Sequence, residues 1–333
     1  MRLGLIGAGR IGAFHAGTLR KLDDVDTVVV TDADPVRARQ TADLLGVRYA
    51  DDVDALFATG PDGVVIAAPT STHPDLILRA VAEGVPVFCE KPVATDVDGT
   101  LRVIERLAGS DVPVQIGFQR RFDAGYTAAR EAVRSGAVGW VHTVRATTMD
   151  PAPPPAAYIA TSGGFFKDCS VHDFDIIRWV TGREITEVYA VGANRGAEFF
   201  LAEGDVDTAA ALLTLDDGTL ALVSGTRYNA AGYDVRLEVL GSTADVVAGL
   251  DDRVPLRSAE PGIAWPTGPA YPGFLERFAL AYETELAAFT EVARGRSPSP
   301  CTATDALEAF YVAEACELSR REHRPVALTE IRR

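Results

Sequence analysis

Asp168 and His172 stand four residues apart in the run Asp168-Cys169-Ser170-Val171-His172-Asp173-Phe174-Asp175. The spacing of apolar residues there predicts a helix over 168–180, so the carboxylate and the imidazole share one face. Asp175 lies one further turn along it. An imidazole steered by a carboxylate can take the proton of an alcohol near neutral pH, although the same spacing serves a structural His–Asp pair at a domain boundary equally well. A second candidate group is Glu90-Lys91-Pro92, which follows a predicted strand. Ligands of open α/β sheets bind beyond the carboxyl ends of the strands, and a lysine there can hydrogen-bond a reacting oxygen and favour an alkoxide-like transition state. The chain has three lysines, Lys21, Lys91 and Lys167. Arginine replaces lysine on most surfaces but does not readily replace a compact ammonium that must reach into a site. Lys167 adjoins Asp168 but points elsewhere on a helix, which makes it structural.

The residues Gly7-Ala8-Gly9-Arg10-Ile11-Gly12 form a GxGxxG string. It follows a predicted strand and opens a predicted helix, the context that a dinucleotide site requires. The first glycine makes the turn and the second admits a pyrophosphate. The third lets helix and strand pack closely, and the helix N-terminus holds the anion. Asp32 lies about 20 residues further on, at the end of the second strand, where a carboxylate binds ribose hydroxyls and repels a 2′-phosphate. The expected cofactor is therefore NAD, with NADP the lesser candidate because Arg37 is close. Pro69-Thr70-Ser71-Thr72-His73 follows the third strand at the same end, so Thr70 suits a loop over the cofactor. His73 reads equally as a cofactor contact and as a helix-entry residue.

These groups need a scaffold, and the hydrophobic periodicity supplies one. Short apolar strands over 2–7, 26–32, 63–68, 85–89 and 112–117 alternate with helices over 10–21, 34–45, 74–83 and 96–109. Strands apolar on both faces that alternate with helices predict a covered parallel sheet. After about residue 120 the pattern changes. A helix over 125–135, a half-exposed strand over 140–149 and a proline-rich loop over 151–155 precede the 168–180 helix. Long strands follow over 185–193, 206–215, 219–228, 233–240 and 244–250, with Asp216-Asp217-Gly218 as a hairpin turn. Helices over 274–294 and 303–321 end the chain. The predicted fold is α/β: an N-terminal Rossmann-type doubly wound parallel sheet (1–120), then a C-terminal α+β domain with a large, mostly antiparallel sheet (121–333). The second domain is expected to bind substrate and to oligomerise, and the C-terminal helices are expected to pack back on the first.

Bulk composition narrows the function. The 333 residues suffice for about two full domains, and 47% hydrophobic with 24% charged residues is ordinary for a globular chain. A net charge of −15 argues against nucleic acid and gives no reason to expect an anionic membrane as partner. No apolar run is long enough to span a bilayer, and Met1–Gly9 reads as a strand entering a glycine turn, not a signal peptide. The expected compartment is the cytoplasm. Cys89, Cys169, Cys301 and Cys316 lack metal-ligand spacing, so no metal is expected.

Taken together, the Gly7–Gly12 string, the Thr70–His73 loop, Glu90-Lys91-Pro92 and the Asp168–Asp175 run resemble the Gfo/Idh/MocA oxidoreductases, a family that includes glucose–fructose oxidoreductase and inositol dehydrogenase. The motifs occur in the family's order along nearly the whole chain. The resemblance implies that Lys91, Asp168 and His172 are the catalytic group and that Glu90 lies by the cofactor. Gly117-Phe118-Gln119-Arg120-Arg121-Phe122-Asp123-Ala124-Gly125-Tyr126 and Gly232–Gly241 are similar to inositol 2-dehydrogenases in particular. That similarity implies that Arg120 and Tyr233 lie near cofactor or substrate. Gln119 and Asp150-Pro151 stand where such enzymes carry methionine and Asn-Pro, so Gln119 and Asp150 are candidates for altered hydrogen bonds to ring hydroxyls. The implied activity is NAD-dependent oxidation of a secondary alcohol on a cyclic polyol resembling myo-inositol, in a homodimer or homotetramer. Rival readings are a dehydrogenase of another sugar, glycoside or aminocyclitol, and a non-catalytic NAD(H) sensor. A metal-dependent alcohol dehydrogenase is a poor third.

Overall fold

The computed structural model describes residues 1–332. The first part of the chain runs β1 (Arg2–Ile6), α1 (Arg10–Leu19), β2 (Thr27–Thr31), α2 (Pro35–Leu45), β3 (Arg48–Tyr49), α3 (Val53–Ala58), β4 (Gly63–Ile66), α4 (His73–Ala82), β5 (Val87–Glu90), α5 (Val97–Leu107) and β6 (Val114–Gly117). It continues with α6 (Ala124–Arg134), β7 (Val141–Met149), α7 (Ala156–Ser162), a π-turn (Phe166–Ser170), α8 (Val171–Thr181), β8 (Ile185–Ala193) and α9 (Phe199–Ala202). It ends with β9 (Thr208–Leu215), β10 (Leu220–Thr226), β11 (Asp234–Gly241), β12 (Asp245–Ala248), α10 (Phe274–Arg277), α11 (Ala279–Ala293), α12 (Ala303–Glu322) and β13 (Val326–Ala327). These elements fall into two compact units. One comprises Met1–Gln119 with Leu280–Leu307, the other Arg120–Ala279 with Glu308–Arg333.

The first unit holds a six-stranded sheet in the order β3-β2-β1-β4-β5-β6, every neighbour parallel. The strand order reverses between β1 and β4, which makes the carboxyl ends there the ligand crevice of a doubly wound sheet. Leu3, Leu5, Val28, Val30, Val65 and Phe88 form the core, together with Leu286, Phe289 and Val292 from α11. Helix boundaries follow local chemistry. Asp34 caps α2 by accepting from the Val36 N–H at 3.0 Å, Pro35 opens the helix, and Gly46 closes it at φ 65°. The sequence reading passed over β3 and α3, whose two and six residues are too short for a periodic signal.

The second unit holds a seven-stranded sheet, β12-β11-β7-β10-β9-β8-β13. All pairs are antiparallel except β7 with β10. The Asp216–Gly218 hairpin forms as expected, with Gly218 at φ 87°. One sheet face is covered by α6 and α8. On the other, register aligns Tyr189, Leu212 and Leu222 across three adjacent strands, each 40–45% exposed. Two expected helices are corrected. The 168–180 helix begins as a π-turn, and only Val171–Thr181 is α-helical. The 274–294 helix breaks at Phe278 into α10 and α11. Among the described residues, no helix is long and apolar enough to cross a membrane.

Buried charge is the second unit's other notable feature. Arg121 grips Asp175 with two bonds, Nε–Oδ2 at 2.9 Å and Nη2–Oδ1 at 2.6 Å. Both residues are nearly inaccessible, at 5% and 1% of side-chain surface. Removing one partner of such a pair strands the other charge in low dielectric. Arg121→Met is therefore expected to destabilise the second unit by about 3–5 kcal/mol. Arg145→Met, at the 55%-exposed pair with Glu238, is expected to cost under about 1 kcal/mol. Urea unfolding of both variants checks the contrast, and equal losses would contradict it.

Candidate active site

In the first unit β1 delivers the chain into the glycine turn. Gly7 sits at φ 100°, and a Cβ there would meet the Ala67 carbonyl oxygen at 2.6 Å. At Gly12 a Cβ would lie 1.8 Å from the Gly7 oxygen, so only glycine lets α1 come this close to the turn. At Gly9, by contrast, nothing lies within 4 Å of a built Cβ. The turn is thus closed by protein at its first and third glycines and open at its second. Arg10 is exposed and Ile11 half-buried at the start of α1, whose first-turn N–H groups have no intrahelical acceptor and present partial positive charge. Asp32 stands at the end of β2. Its Oδ2 accepts from the Ala8 N–H at 2.6 Å, and its Oδ1 accepts from the Asp34 N–H at 2.8 Å and from Arg37 Nη1 at 3.1 Å. Oδ2 keeps a lone pair for a ribose hydroxyl. An open anion cradle beside a carboxylate fits a dinucleotide pyrophosphate with an unphosphorylated ribose.

The loops at the same sheet end are fastened by buried polar side chains. His73 is 1% exposed, with Nδ1 2.7 Å from the Pro92 oxygen and Nε2 2.9 Å from the Ala68 oxygen. It ties the loop after β4 to the loop carrying Lys91. Thr70 lies half-buried in the turn just before it. Glu90 ends β5. Its Oε1 lies 2.6 Å from Nε2 of His15, a fully buried residue of α1 ringed by Phe14, Phe88 and Tyr282. The His15 Nδ1 has no hydrogen-bond partner, which matches a tautomer with the proton on Nε2, donated to Glu90. Lys91 follows directly and is half-buried. Gln119 is buried in the short turn after β6.

In the second unit the sequence candidates gather around a residue that the sequence did not single out. Arg227, just beyond β10, is 4% exposed. Its Nη1 donates to Asp150 Oδ2 at 2.9 Å and its Nη2 to Asp168 Oδ2 at 2.6 Å. The other oxygen of Asp168 accepts the Tyr158 hydroxyl at 2.7 Å. Tyr158 is 45% exposed overall, with its hydroxyl turned inward, and burial then the Asp168 charge push that hydroxyl above its ordinary range. Burial alone draws the Arg227 guanidinium toward neutrality, and Cys169, Asp168 and Asp150 together more than reverse this, so it stays charged. The Cys169 thiol points at Asp150 from 3.8 Å. Tyr233 is buried edge-on against Phe278 at 6.5 Å, and burial raises its hydroxyl too, with Arg120, Asp150 and Cys169 in its field.

His172 occupies the second position of α8, and the acids around it are each held by an arginine. Asp168 is held by Arg227, Asp173 by Arg120, and Asp175 by Arg121. Arg120 also donates to Thr148 Oγ1 at 2.9 Å and is 2% exposed. Its terminal nitrogens are therefore engaged with Asp173 and Thr148 inside the unit. Lys167 pairs with Glu314 at 2.7 Å. No disulfide joins the four buried cysteines. Arg227 and Tyr158 had no local signal, being 59 and 10 residues from Asp168 in sequence.

A doubly wound sheet with an open glycine cradle and a carboxylate ending β2 defines the first unit as an NAD-binding Rossmann domain. Residues 1–118 match the family model described as "Oxidoreductase family, NAD-binding Rossmann fold", and residues 126–247 match "GFO/IDH/MocA C-terminal domain". The chain belongs to the GFO/IDH/MocA oxidoreductase family. It is 36% identical to the myo-inositol 2-dehydrogenase of Thermotoga maritima over 99% of both chains. It is 38% identical to a myo-inositol dehydrogenase of Streptomyces leeuwenhoekii over 96% of this chain and 97% of that one. The structure of scyllo-inositol dehydrogenase from Lactobacillus casei with NAD(H) and scyllo-inositol superposes with a TM-score of 0.89 at 31% identity, covering 99% of each chain.

The cradle makes a two-sided prediction. Gly9→Ala is expected to leave the thermal midpoint unchanged yet weaken NAD about tenfold or more, or about 1.4 kcal/mol. Gly12→Ala is expected to lower the midpoint as well, because its Cβ displaces the turn itself. Calorimetric NAD titration with thermal melts of both variants distinguishes them. Full NAD affinity in Gly9→Ala would remove the cradle from the binding site.

Proposed function

We propose that this protein oxidises a secondary alcohol on a cyclitol resembling myo-inositol to the ketone, with His172 taking the hydroxyl proton, Asp168 orienting His172, and Lys91 stabilising the developing alkoxide. NAD, when bound, supplies the two-electron acceptor for the hydride leaving the alcohol carbon. Gly7, Gly9, Arg10, Ile11 and Gly12 hold its pyrophosphate, and Asp32 its ribose. Asp150, Tyr233 and Gln119 are the residues assigned to the substrate. The observation that carries this reading is the Asp150–Arg227–Asp168–Tyr158 network beside the start of α8. It fixes a carboxylate four residues before an imidazole, in a family whose full-length relatives are named inositol dehydrogenases. An alcohol proton needs an acceptor that works near neutral pH, and imidazole is the side chain suited to it.

A second reading has one observation in its favour. Asp150 and Asp168 place two carboxylates on one guanidinium, a local excess of negative charge that suits a ring bearing an ammonium. An aminocyclitol is the competing substrate class. The exposed Tyr189–Leu212–Leu222 row further supports a homodimer or homotetramer built on the open sheet face, since an apolar patch of this kind marks an interface.

A substrate panel following NADH formation tests the chemistry. Myo-inositol or a stereoisomer is expected to give turnover, and signal from aminocyclitols alone would transfer the assignment to that class. His172→Ala and Lys91→Met are each expected to lower kcat by about 10²–10⁴-fold while NAD affinity stays near wild type. Unchanged kcat in both would end the proposed roles. Light scattering of Leu222→Glu is expected to show a smaller assembly than wild type, and unchanged mass would take the interface off this face.

A further inference from the structure

We propose that Arg227 is the positioning residue of this site: its guanidinium holds Asp150 and Asp168 as a fixed, fully ionised pair, so that Asp168 acts as a hydrogen-bond acceptor and never as a proton carrier. The inference rests on the functional reading above for the importance of Asp168, and on the structure alone for the electrostatics.

Asp150 ends β7 and Asp168 lies in the π-turn, and adjacent terminal nitrogens of a single arginine reach both, at 2.9 and 2.6 Å. Arg227 is itself fixed on other sides. Its main-chain N–H donates to the Asp207 oxygen at 2.8 Å, and its guanidinium lies 5.3 Å from the Phe165 ring centroid. The buried Nε finds no acceptor, so the whole hydrogen-bonding effort of the fork goes to the two carboxylates. The other groups facing it are the Cys169 thiol, the Tyr158 hydroxyl on Asp168, Asp205 beyond, and Tyr233 beside Asp150. Arg227 is the cation in direct contact with both acids.

The consequence is electrostatic. Two carboxylates on adjacent nitrogens of one fork are near neighbours, and like charges in a partly buried space cannot both ionise freely without a counter-charge. With Arg227 present each carboxylate faces a cation, and Asp168 keeps one oxygen on Tyr158 and one on the arginine. Without it, the pair titrates jointly and one member retains a proton at higher pH. A carboxyl that shares a proton with its neighbour is a poor, wandering acceptor for the Tyr158 hydroxyl it now holds. A displacement of about 1 Å at such a group costs on the order of 100-fold in rate.

The sign of the pH effect follows. In Arg227→Gln one carboxyl gains a raised folded-state pKa against an ordinary unfolded one. The folded state then binds more protons than the unfolded state, so stability is present at acid pH and lost as pH rises. Thermal midpoints from about pH 5 to about pH 8, with no substrate present, are expected to fall progressively with pH in Arg227→Gln relative to wild type. Asp150→Asn is expected to lower the midpoint in the wild-type background, where it strips a partner from a buried arginine. In the Arg227→Gln background it is expected to raise the midpoint at the alkaline end, where it removes a repulsion. That reversal of sign is the diagnostic result. A merely structural arginine predicts a pH-independent loss and a further loss from Asp150→Asn, and that outcome overturns the proposal. Should Arg227→Gln not fold, Arg227→Lys retains the charge but not the fork. It is expected to show the same pH-dependent loss at smaller size, and a flat loss overturns the proposal there too. With substrate, kcat of the folding variant is expected to fall about 100-fold, with an added pH inflection that Asp150→Asn removes. The midpoints need no turnover. A wild type inactive on every cyclitol would defeat the functional reading while leaving the pair to be judged by its melts. An active wild type without sign reversal would defeat this inference alone.

Discussion

Three buried arginine–aspartate contacts hold the segment that carries His172. Asp168, Asp173 and Asp175 lie before, beside and after the histidine, and Arg227, Arg120 and Arg121 meet them from β10 and from the turn after β6. The segment cannot rotate or slide by a residue without separating several charges in a medium that screens them poorly. The π-turn at Phe166–Ser170 adds a constraint of its own. Its wider winding lets Asp168 reach back toward Arg227 and Tyr158, while α8 resumes a regular helix at Val171. The position of the segment is thereby set by long-range charge pairing as much as by helix geometry.

The first unit uses a related device, side chains tied mostly to main-chain groups. Asp32 fixes the glycine turn through the Ala8 N–H, His73 joins the loops after β4 and β5, and His15 holds the Glu90 carboxylate. Each is a side chain of a regular element reaching a loop at the carboxyl end of the sheet. Loops at such a crevice would otherwise be the most mobile part of the unit. Tying them to β2, α4 and α1 positions the main chain around the cradle before any ligand arrives, which lowers the ordering cost of binding.

Much of this was legible in the sequence, and what was missed has physical reasons. The parallel sheet was readable because its strands are apolar on both faces, and the glycine motif because each glycine answers a separate steric demand. The Asp168–His172 spacing pointed to a shared helical face, but a π-turn has no pattern that distinguishes it from α-helix. Arg120 was placed near cofactor or substrate by resemblance alone, which says nothing of its partners within the fold. Only the fold shows that Asp173 and Thr148 claim its nitrogens. Arg227 carries no local signal at all, since its meaning lies in two acids 59 and 77 residues away. The return of Leu280–Leu307 to the first unit is likewise invisible locally. The periodicity of α11 says that one face is buried, and only the core around Phe289 says against what.

The energetics set such pairs apart from an ordinary core. Burying two charges costs several kcal/mol in lost hydration, and their attraction recovers this only with good geometry, so well-packed apolar residues of similar volume would often be as stable or more so. Three such contacts along a single eight-residue segment are therefore a poor way to gain stability. They are a good way to fix direction: each acid is tied to a specific cation, and the bidentate Arg121–Asp175 pair is constrained in angle as well as distance. An apolar core tolerates small rotations of its side chains, whereas a segment tied by three ion pairs does not. The charges that make this unit costly to fold are those that fix the segment carrying the one histidine of α8.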